Sequence, residues 1–272
     1  MTAIGQGFFP FTVLRFTAGY ASYFLAKSVF LVCGFPVLIL LTPFPSTKQR
    51  LLQVLSHAFL RFFTRTWLPA LGLYRIVEIT GLDQVLPLRP AIYVANHRGY
   101  LDSITLLGLL PRTGVLIKSR HGRQPMYHML IRHFNLVSVD PNTLSSVSAS
   151  LERCRRLLSG GENLLVFPEG SRARSGRLQR FSGFAFELAQ RAGLPVIPVI
   201  IHSTLPFMAK LPGSIFPRGN NQYRIRFLDP VHPTPEDDAD ALSDRVYRRM
   251  ARELRPLDAG TIWDTEPPAR YD

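Results

Sequence analysis

The chain has 272 residues, 46% of them hydrophobic, a net charge of +13 and two cysteines. The hydrophobic content excludes a disordered protein, the length allows one sizeable core, and Cys33 and Cys154 make neither a disulfide framework nor a zinc site. The charge is uneven: residues 1–231 hold 26 basic and nine acidic residues, and the rest six and ten, with no acid before Glu78. A basic body fits nucleic acid, an anionic membrane surface or anionic small substrates, and the apolar N-terminus favours the membrane.

Residues 8–45 are apolar and aromatic, with Arg15 and Lys27 as their only charges. Ser28 to Phe44 is 17 uncharged residues, at the lower limit for a spanning helix, and Pro36 sits near its middle. A kinked span, a re-entrant hairpin and an in-plane helical pair all remain open. The bases that follow, Lys48, Arg50, Arg61 and Arg65, place the rest of the chain on the cytoplasmic face, as in a bacterial inner membrane. Residues 47–72 are predicted helical, with Leu51, Leu52, Leu55, Phe59, Phe62 and Phe63 on one face.

Strand-like runs then alternate with helical ones. Strands are predicted at 74–80, 91–95, 115–117, 136–139, 163–167, 196–201 and 223–227. Helices are predicted at 103–110, 125–133, 143–159 and 181–192. Gly160-Gly161 and Gly193 stop two of these helices. Leu242, Val246, Met250 and Leu254 recur every four residues and predict a C-terminal helix docked by one face. After Pro256 little core-forming pattern remains. The alternation predicts an α/β fold with a mixed, largely parallel sheet flanked by helices, preceded by an N-terminal apolar membrane-anchoring helical segment. Residues 1–72 would form the membrane-associating region, 73–256 the main domain and 257–272 a tail.

Two strands end in chemistry-bearing turns. After Ala91-Ile-Tyr-Val94 comes Ala95-Asn-His-Arg-Gly-Tyr-Leu-Asp102. His97 can take a proton near neutral pH, and Asp102 can fix its tautomer and stabilise its charged form. The spacing alone is a weak signal, because His232 and Asp237 repeat it in a proline-broken acidic loop that no strand delivers. The second turn is Phe167-Pro-Glu-Gly-Ser-Arg172, which presents Glu169 and an arginine able to grip a phosphate with two parallel hydrogen bonds. Arg174, Arg177 and Arg180 crowd the same stretch and read as a solvated basic loop.

Asn96-His-Arg-Gly-Tyr-Leu-Asp102 together with Phe167-Pro-Glu-Gly-Ser-Arg172 resembles the first and third blocks of the glycerolipid acyltransferase superfamily. Its best-known members are the 1-acylglycerol-3-phosphate acyltransferases. Ser171 stands where the family has threonine, and Val196-Ile-Pro-Val199 resembles the fourth block. The resemblance covers residues 75–230. It implies that His97, oriented by Asp102, is a general base on a lysolipid hydroxyl that attacks an acyl thioester directly. In keeping with this, the chain has no Gly-x-Ser-x-Gly elbow to supply a nucleophile. It implies that Glu169, Gly170, Ser171 and Arg172 bind or order the acceptor headgroup. The partners implied are a phospholipid bilayer, a lysophospholipid acceptor, and acyl-CoA or acyl carrier protein as the thioester. No bound cofactor, metal or nucleic acid is implied.

The chain departs from the family in two places. Pro141 falls where the second block has an arginine, and Phe181-Ser-Gly-Phe184 lacks a lysine. Lys118 and Arg120 are the candidate replacements. The first reading of the acceptor is 1-acylglycerol-3-phosphate, giving phosphatidic acid; another lysolipid, such as an amino-acid-linked one, stays open. Outside the family reading stand a non-catalytic binder of anionic membrane or nucleic acid, and a hydrolase in which His97 activates water.

Overall fold

A computed structural model of the chain describes residues 9–29, 32–33, 36, 45–119, 135–140, 142–173, 178–204, 221–261 and 263–264. Its strands are β1 (Arg75–Thr80), β2 (Ile92–Ala95), β3 (Thr113–Lys118), β4 (Leu136–Val139), β5 (Asn163–Val166), β6 (Val196–Ser203) and β7 (Gln222–Phe227). They form one sheet in the order β1-β7-β6-β2-β5-β3-β4. From β6 to β4 all neighbours are parallel, β7 runs antiparallel to β6, and β1 is parallel to β7. The three strands whose residues are all buried, β2, β5 and β6, lie together in the middle of the sheet. Their apolar runs suit a sheet covered on both faces.

Helices cover both faces. Among the described residues the helices include α1 (Phe9–Val29), α2 (Pro45–Phe62), which runs on through a π-helical turn (Phe63–Trp67) and a short helical turn (Leu68–Ala70), α3 (Leu82–Val85), α4 (Leu101–Leu109), α5 (Leu144–Ser159), α6 (Phe184–Ala192) and α7 (Ala239–Asp258). One core cluster joins Phe16 and Tyr23 of α1 and Phe63 to Leu101, Leu106 and Leu109 of α4 and to Tyr93 and Val199 of the sheet. The other joins Cys154 and Leu158 of α5, Ala185 and Phe186 of α6, and the stripe Leu242, Val246, Met250 and Leu254 of α7 to Ile92, Leu164 and Ile200. Each buried side chain of that stripe contributes roughly 1.5–3 kcal/mol by leaving water. Asp238 caps α7 by accepting from the Ala241 N–H at 2.7 Å, satisfying one donor of the first turn.

The N-terminal helices dock on the domain. Arg15 of α1 donates Nε to the Leu71 carbonyl at 2.9 Å and a terminal nitrogen to the Gly72 carbonyl, so one guanidinium covers helix-end acceptors. The Trp67 indole N–H donates to Ser22 Oγ at 2.9 Å. α2 crosses α4 closely at Gly108, where a Cβ would sit 3.1 Å from the Arg61 nitrogen. Among the described residues no helix is long and apolar enough to cross a membrane. Most of the apolar run 28–44, and the helix predicted at 125–133, lie outside the described residues.

The C-terminal end differs from the sequence expectation. α7 continues through Pro256 to Asp258, and Trp263 is buried. A proline in the last turn sacrifices a single backbone bond, and the side chain of Asp258 is tied into the domain. Asp258 and Trp263 therefore do enter the core, through side-chain partners that no local pattern announces.

Candidate active site

The register of two neighbouring parallel strands builds the site. Val94 of β2 pairs with Val166 of β5, and His97 and Glu169 each lie three residues further on. The two turns therefore leave the sheet side by side, at the carboxyl ends of parallel strands where open α/β sheets bind ligands. Two contacts join them. The His97 backbone N–H donates to Glu169 Oε1 at 2.7 Å, and the Ala173 N–H donates to the His97 carbonyl at 2.7 Å.

Asp102, at the start of α4, is almost wholly buried. Its Oδ2 accepts from the Arg98 N–H at 2.6 Å and the Gly99 N–H at 2.7 Å, and lies 3.0 Å from His97 Nδ1. The carboxylate thus shapes the turn and orients the ring. With Nδ1 donating to Asp102, Nε2 is left as the acceptor nitrogen. The imidazole lies against the Phe167 ring, centroids 4.3 Å apart, and lines the cavity. Asn96 anchors the turn from the other side: its amide donates to the Ile201 carbonyl at 2.8 Å and accepts from the Ile201 N–H at 2.7 Å.

Glu169 places both carboxylate oxygens on main-chain donors, Oε2 accepting from the Gln179 N–H at 3.0 Å. Burial pushes its pKa up to about 7, against the opposing pull of those two hydrogen bonds and of the Arg98 charge. Gly170 takes φ +63° and closes the turn through its N–H to the Phe167 carbonyl at 3.0 Å. Ser171 Oγ and Arg172 follow, half-buried, and both residues line the cavity. The Lys118 ammonium comes to the same turn: a Cβ on Gly170 would meet Lys118 Nζ at 3.5 Å. Arg120 and Pro141 lie outside the described residues.

The cavity in front of His97 holds about 940 Å³. Lys118, Arg172 and Arg180 border it near the Glu169 turn, and Ile104, Leu107, Leu116, Ile117 and Val139 supply apolar wall. Among the described residues no group of three or more His, Cys, Asp or Glu side chains is placed to hold a metal ion. The second His–Asp pair does not assemble: Asp237 accepts from the Thr234 N–H at 2.8 Å and from Arg245, while His232 is exposed. Cys154 is buried, its thiol pushed up to about 12 by burial, and Cys33 is exposed.

Sequence reasoning missed Gln179 as the second partner of Glu169. It also missed a buried cluster of Arg98, His202, Asp258 and Trp263 behind the His97 turn. Arg98 stood inside the first motif, and the lone tryptophan of the tail was the one other visible signal.

The fold and the site define an α/β protein with a histidine–carboxylate pair at parallel strand ends, facing a cavity of about 940 Å³ with a cationic border. The Acyltransferase family model matches residues 76–202. An Arabidopsis thaliana chloroplastic 1-acyl-sn-glycerol-3-phosphate acyltransferase is 28% identical over 247 residues, 87% of this chain and 62% of that protein. The Homo sapiens 1-acyl-sn-glycerol-3-phosphate acyltransferase alpha is 30% identical over 186 residues, 66% of this chain and 64% of that protein. The Mus musculus alpha enzyme is 29% identical over 253 residues, 90% of this chain and 85% of that protein. The chain spans about three fifths of the length of the first of these relatives. The crystal structure of the 1-acyl-sn-glycerophosphate acyltransferase PlsC from Thermotoga maritima superposes with a TM-score of 0.72 at 20% identity, covering 91% of this chain and 98% of that one. The central part of the chain, residues 76–202, is thus similar in sequence to glycerolipid acyltransferases.

Proposed function

We propose that this protein is an O-acyltransferase that moves a fatty acyl group from a thioester to the hydroxyl of 1-acylglycerol-3-phosphate, giving phosphatidic acid. The observation that carries the reading is the His97–Asp102 pair, 3.0 Å apart, with the imidazole on the wall of a cavity large enough for an acyl chain. His97 Nε2 takes the proton of the acceptor hydroxyl as its oxygen attacks the thioester carbonyl. The new C–O bond forms, the C–S bond breaks, and the thiolate leaves with the proton from His97. Asp102 holds the ring and stabilises its charged form in between. The donor is acyl-CoA or acyl carrier protein.

The cationic border fits a phosphate-bearing acceptor. Lys118, seated against the Gly170 turn, supplies positive charge in compensation for the arginine missing from the family's second block. Arg172 adds a planar fork suited to phosphate oxygens. Glu169 acts by ordering the turn that carries Gly170, Ser171 and Arg172, since both its oxygens are engaged by main-chain N–H groups.

The protein works at a membrane surface, with its catalytic domain on the cytoplasmic side. Leu14, Phe24, Leu25 and Val29 of α1 and Leu51, Val54, Leu55 and Phe62 of α2 are exposed apolar side chains, and Arg50, Arg61 and Arg65 stand among them at the surface. Apolar groups interleaved with bases are the composition of an in-plane helical anchor on anionic lipid.

The test is a purified-protein assay against a panel of lysolipids, with acyl-CoA and acyl carrier protein compared as donors. Phosphatidic acid is the expected product, and His97→Ala is expected to lose at least about a thousandfold in kcat with folding and membrane binding intact. Retained turnover in that variant rules out the base, and release of free fatty acid without acylated lipid points to hydrolysis instead.

A further inference from the structure

The His97 turn is tied to a part of the chain 160 residues away. The Arg98 guanidinium donates NH1 to Asp258 Oδ1 at 2.7 Å and NH2 to Asp258 Oδ2. It also stacks over the Trp263 ring at 4.5 Å. Asp258 Oδ1 lies 3.0 Å from His202 Nδ1, and the Trp263 indole N–H donates to the Ser203 carbonyl. The side chains of Arg98, Asp258 and His202 are 4%, 12% and 1% exposed, so the pair is desolvated. Burial alone would raise the Asp258 pKa, but the hydrogen bonds from His202 and Arg98 outweigh it and hold the carboxyl below its ordinary range.

The geometry of this cluster is that of a fixture. A bidentate guanidinium–carboxylate pair constrains both distance and orientation, and stacking on an indole fixes the guanidinium plane. One residue along the chain, the Arg98 backbone N–H reaches Asp102 Oδ2, the same oxygen that orients His97. Displacing the Arg98 side chain therefore moves the amide that shares an acceptor with the catalytic ring. Other restraints on the turn come from Asp102 of α4, from Ile201 of β6 through Asn96, and from Glu169 of the β5 turn; the Arg98 clasp is what links it to α7.

We propose that Asp258 and Trp263, through Arg98, are positioning residues that hold His97 in reactive geometry, so that the end of α7 is part of the catalytic apparatus. This rests on the reading of His97 as the general base. It assigns a functional role to a segment beyond Pro256 and distinguishes a rate effect from a binding effect, because none of these side chains lines the cavity.

The experiment measures kcat and KM for lysophosphatidic acid and acyl-CoA, with thermal unfolding, for Asp258→Asn, Arg98→Gln, the double variant, and His97→Ala as a separate control. Misplacement of a catalytic group by about 1 Å costs on the order of a hundredfold. Each single variant is therefore expected to lose at least about tenfold in kcat while both KM values stay within about twofold. The double variant is expected to lose no more than the worse single one, because the two residues act as a unit. Unchanged kcat with a lowered Tm, equal losses entered through KM, or additive losses would overturn the proposal. Should Asp258→Asn not fold, Arg98→Lys serves: it keeps the buried charge but not the fork, and it is expected to lower kcat with KM unchanged; wild-type kcat there overturns the proposal equally. Full activity in His97→Ala would instead refute the base, an outcome separable from all of these.

Discussion

Replacing Glu169 by Gln separates what its charge does from what its shape does. In the folded protein burial lifts the carboxyl from 4.5 to about 7. Between those two values the folded state holds more protons than the unfolded state, so stability contributed by this group falls as pH rises through the window and is level above it. Integrated from pH 5 to pH 8, that shift amounts to about 2.5 kcal/mol. Glutamine does not titrate, but its single carbonyl oxygen can accept from only one of the two N–H groups, of His97 at 2.7 Å and Gln179 at 3.0 Å. The N–H left facing the amide nitrogen loses its acceptor in a buried site, at a cost of about 1–3 kcal/mol. At pH 8 the lost bond and the removed buried charge nearly cancel, and the variant should match the wild type in stability. At pH 5 the wild-type carboxyl is protonated and bears no such penalty, so the variant should be the less stable by about 1–3 kcal/mol. For a chain of this size that difference corresponds to on the order of 5–10 °C in Tm. Thermal unfolding of both proteins in the same detergent, followed by near-UV circular dichroism from pH 5 to pH 8, measures it. A Tm difference that stays constant across the range, or one that grows towards pH 8, would refute the assignment of a buried, burial-shifted carboxyl at this position.

Asn96→Ala removes both hydrogen bonds to Ile201 and leaves a buried main-chain pair unsatisfied, which should cost about 2–4 kcal/mol; denaturant unfolding should show a lower midpoint at unchanged slope. Lys118→Ala should raise KM for 1-acylglycerol-3-phosphate about tenfold, by loss of one charged contact, while kcat and the KM for acyl-CoA hold; an unchanged acceptor KM would remove Lys118 from the headgroup site. Gly108→Val should force α4 away from α2, where a Cβ already meets the Arg61 nitrogen at 3.1 Å. A destabilisation of about 1–3 kcal/mol is expected, read as a fall in Tm, and an unaltered Tm would show that the two helices do not pack as closely as described.

Much of this protein is determined locally and is visible in its sequence. The apolar runs of β2, β5 and β6, the glycines that end α5 and α6, and the four-residue stripe of α7 each follow from the chemistry of a few neighbouring residues. So does the pairing of His97 with Asp102, because one turn of chain and the start of a helix suffice to bring them together. The tertiary structure alone decided the rest. Val94 pairs with Val166, and that register sets Glu169 beside the His97 backbone rather than out in solvent. The same strand-end geometry brings Lys118 to Gly170. It also left His232 and Asp237 apart, although their spacing matches that of His97 and Asp102, because Arg245 and the Thr234 N–H take the carboxylate. Arg98 and Asp258, 160 residues apart, are brought together by the sheet and by α7, which lays its apolar stripe across it. A sequence pattern reports which residues can share a face of one element; which charge is buried against which depends on the packing of elements distant in the chain, as the Arg98–Asp258 pair behind the His97 turn shows.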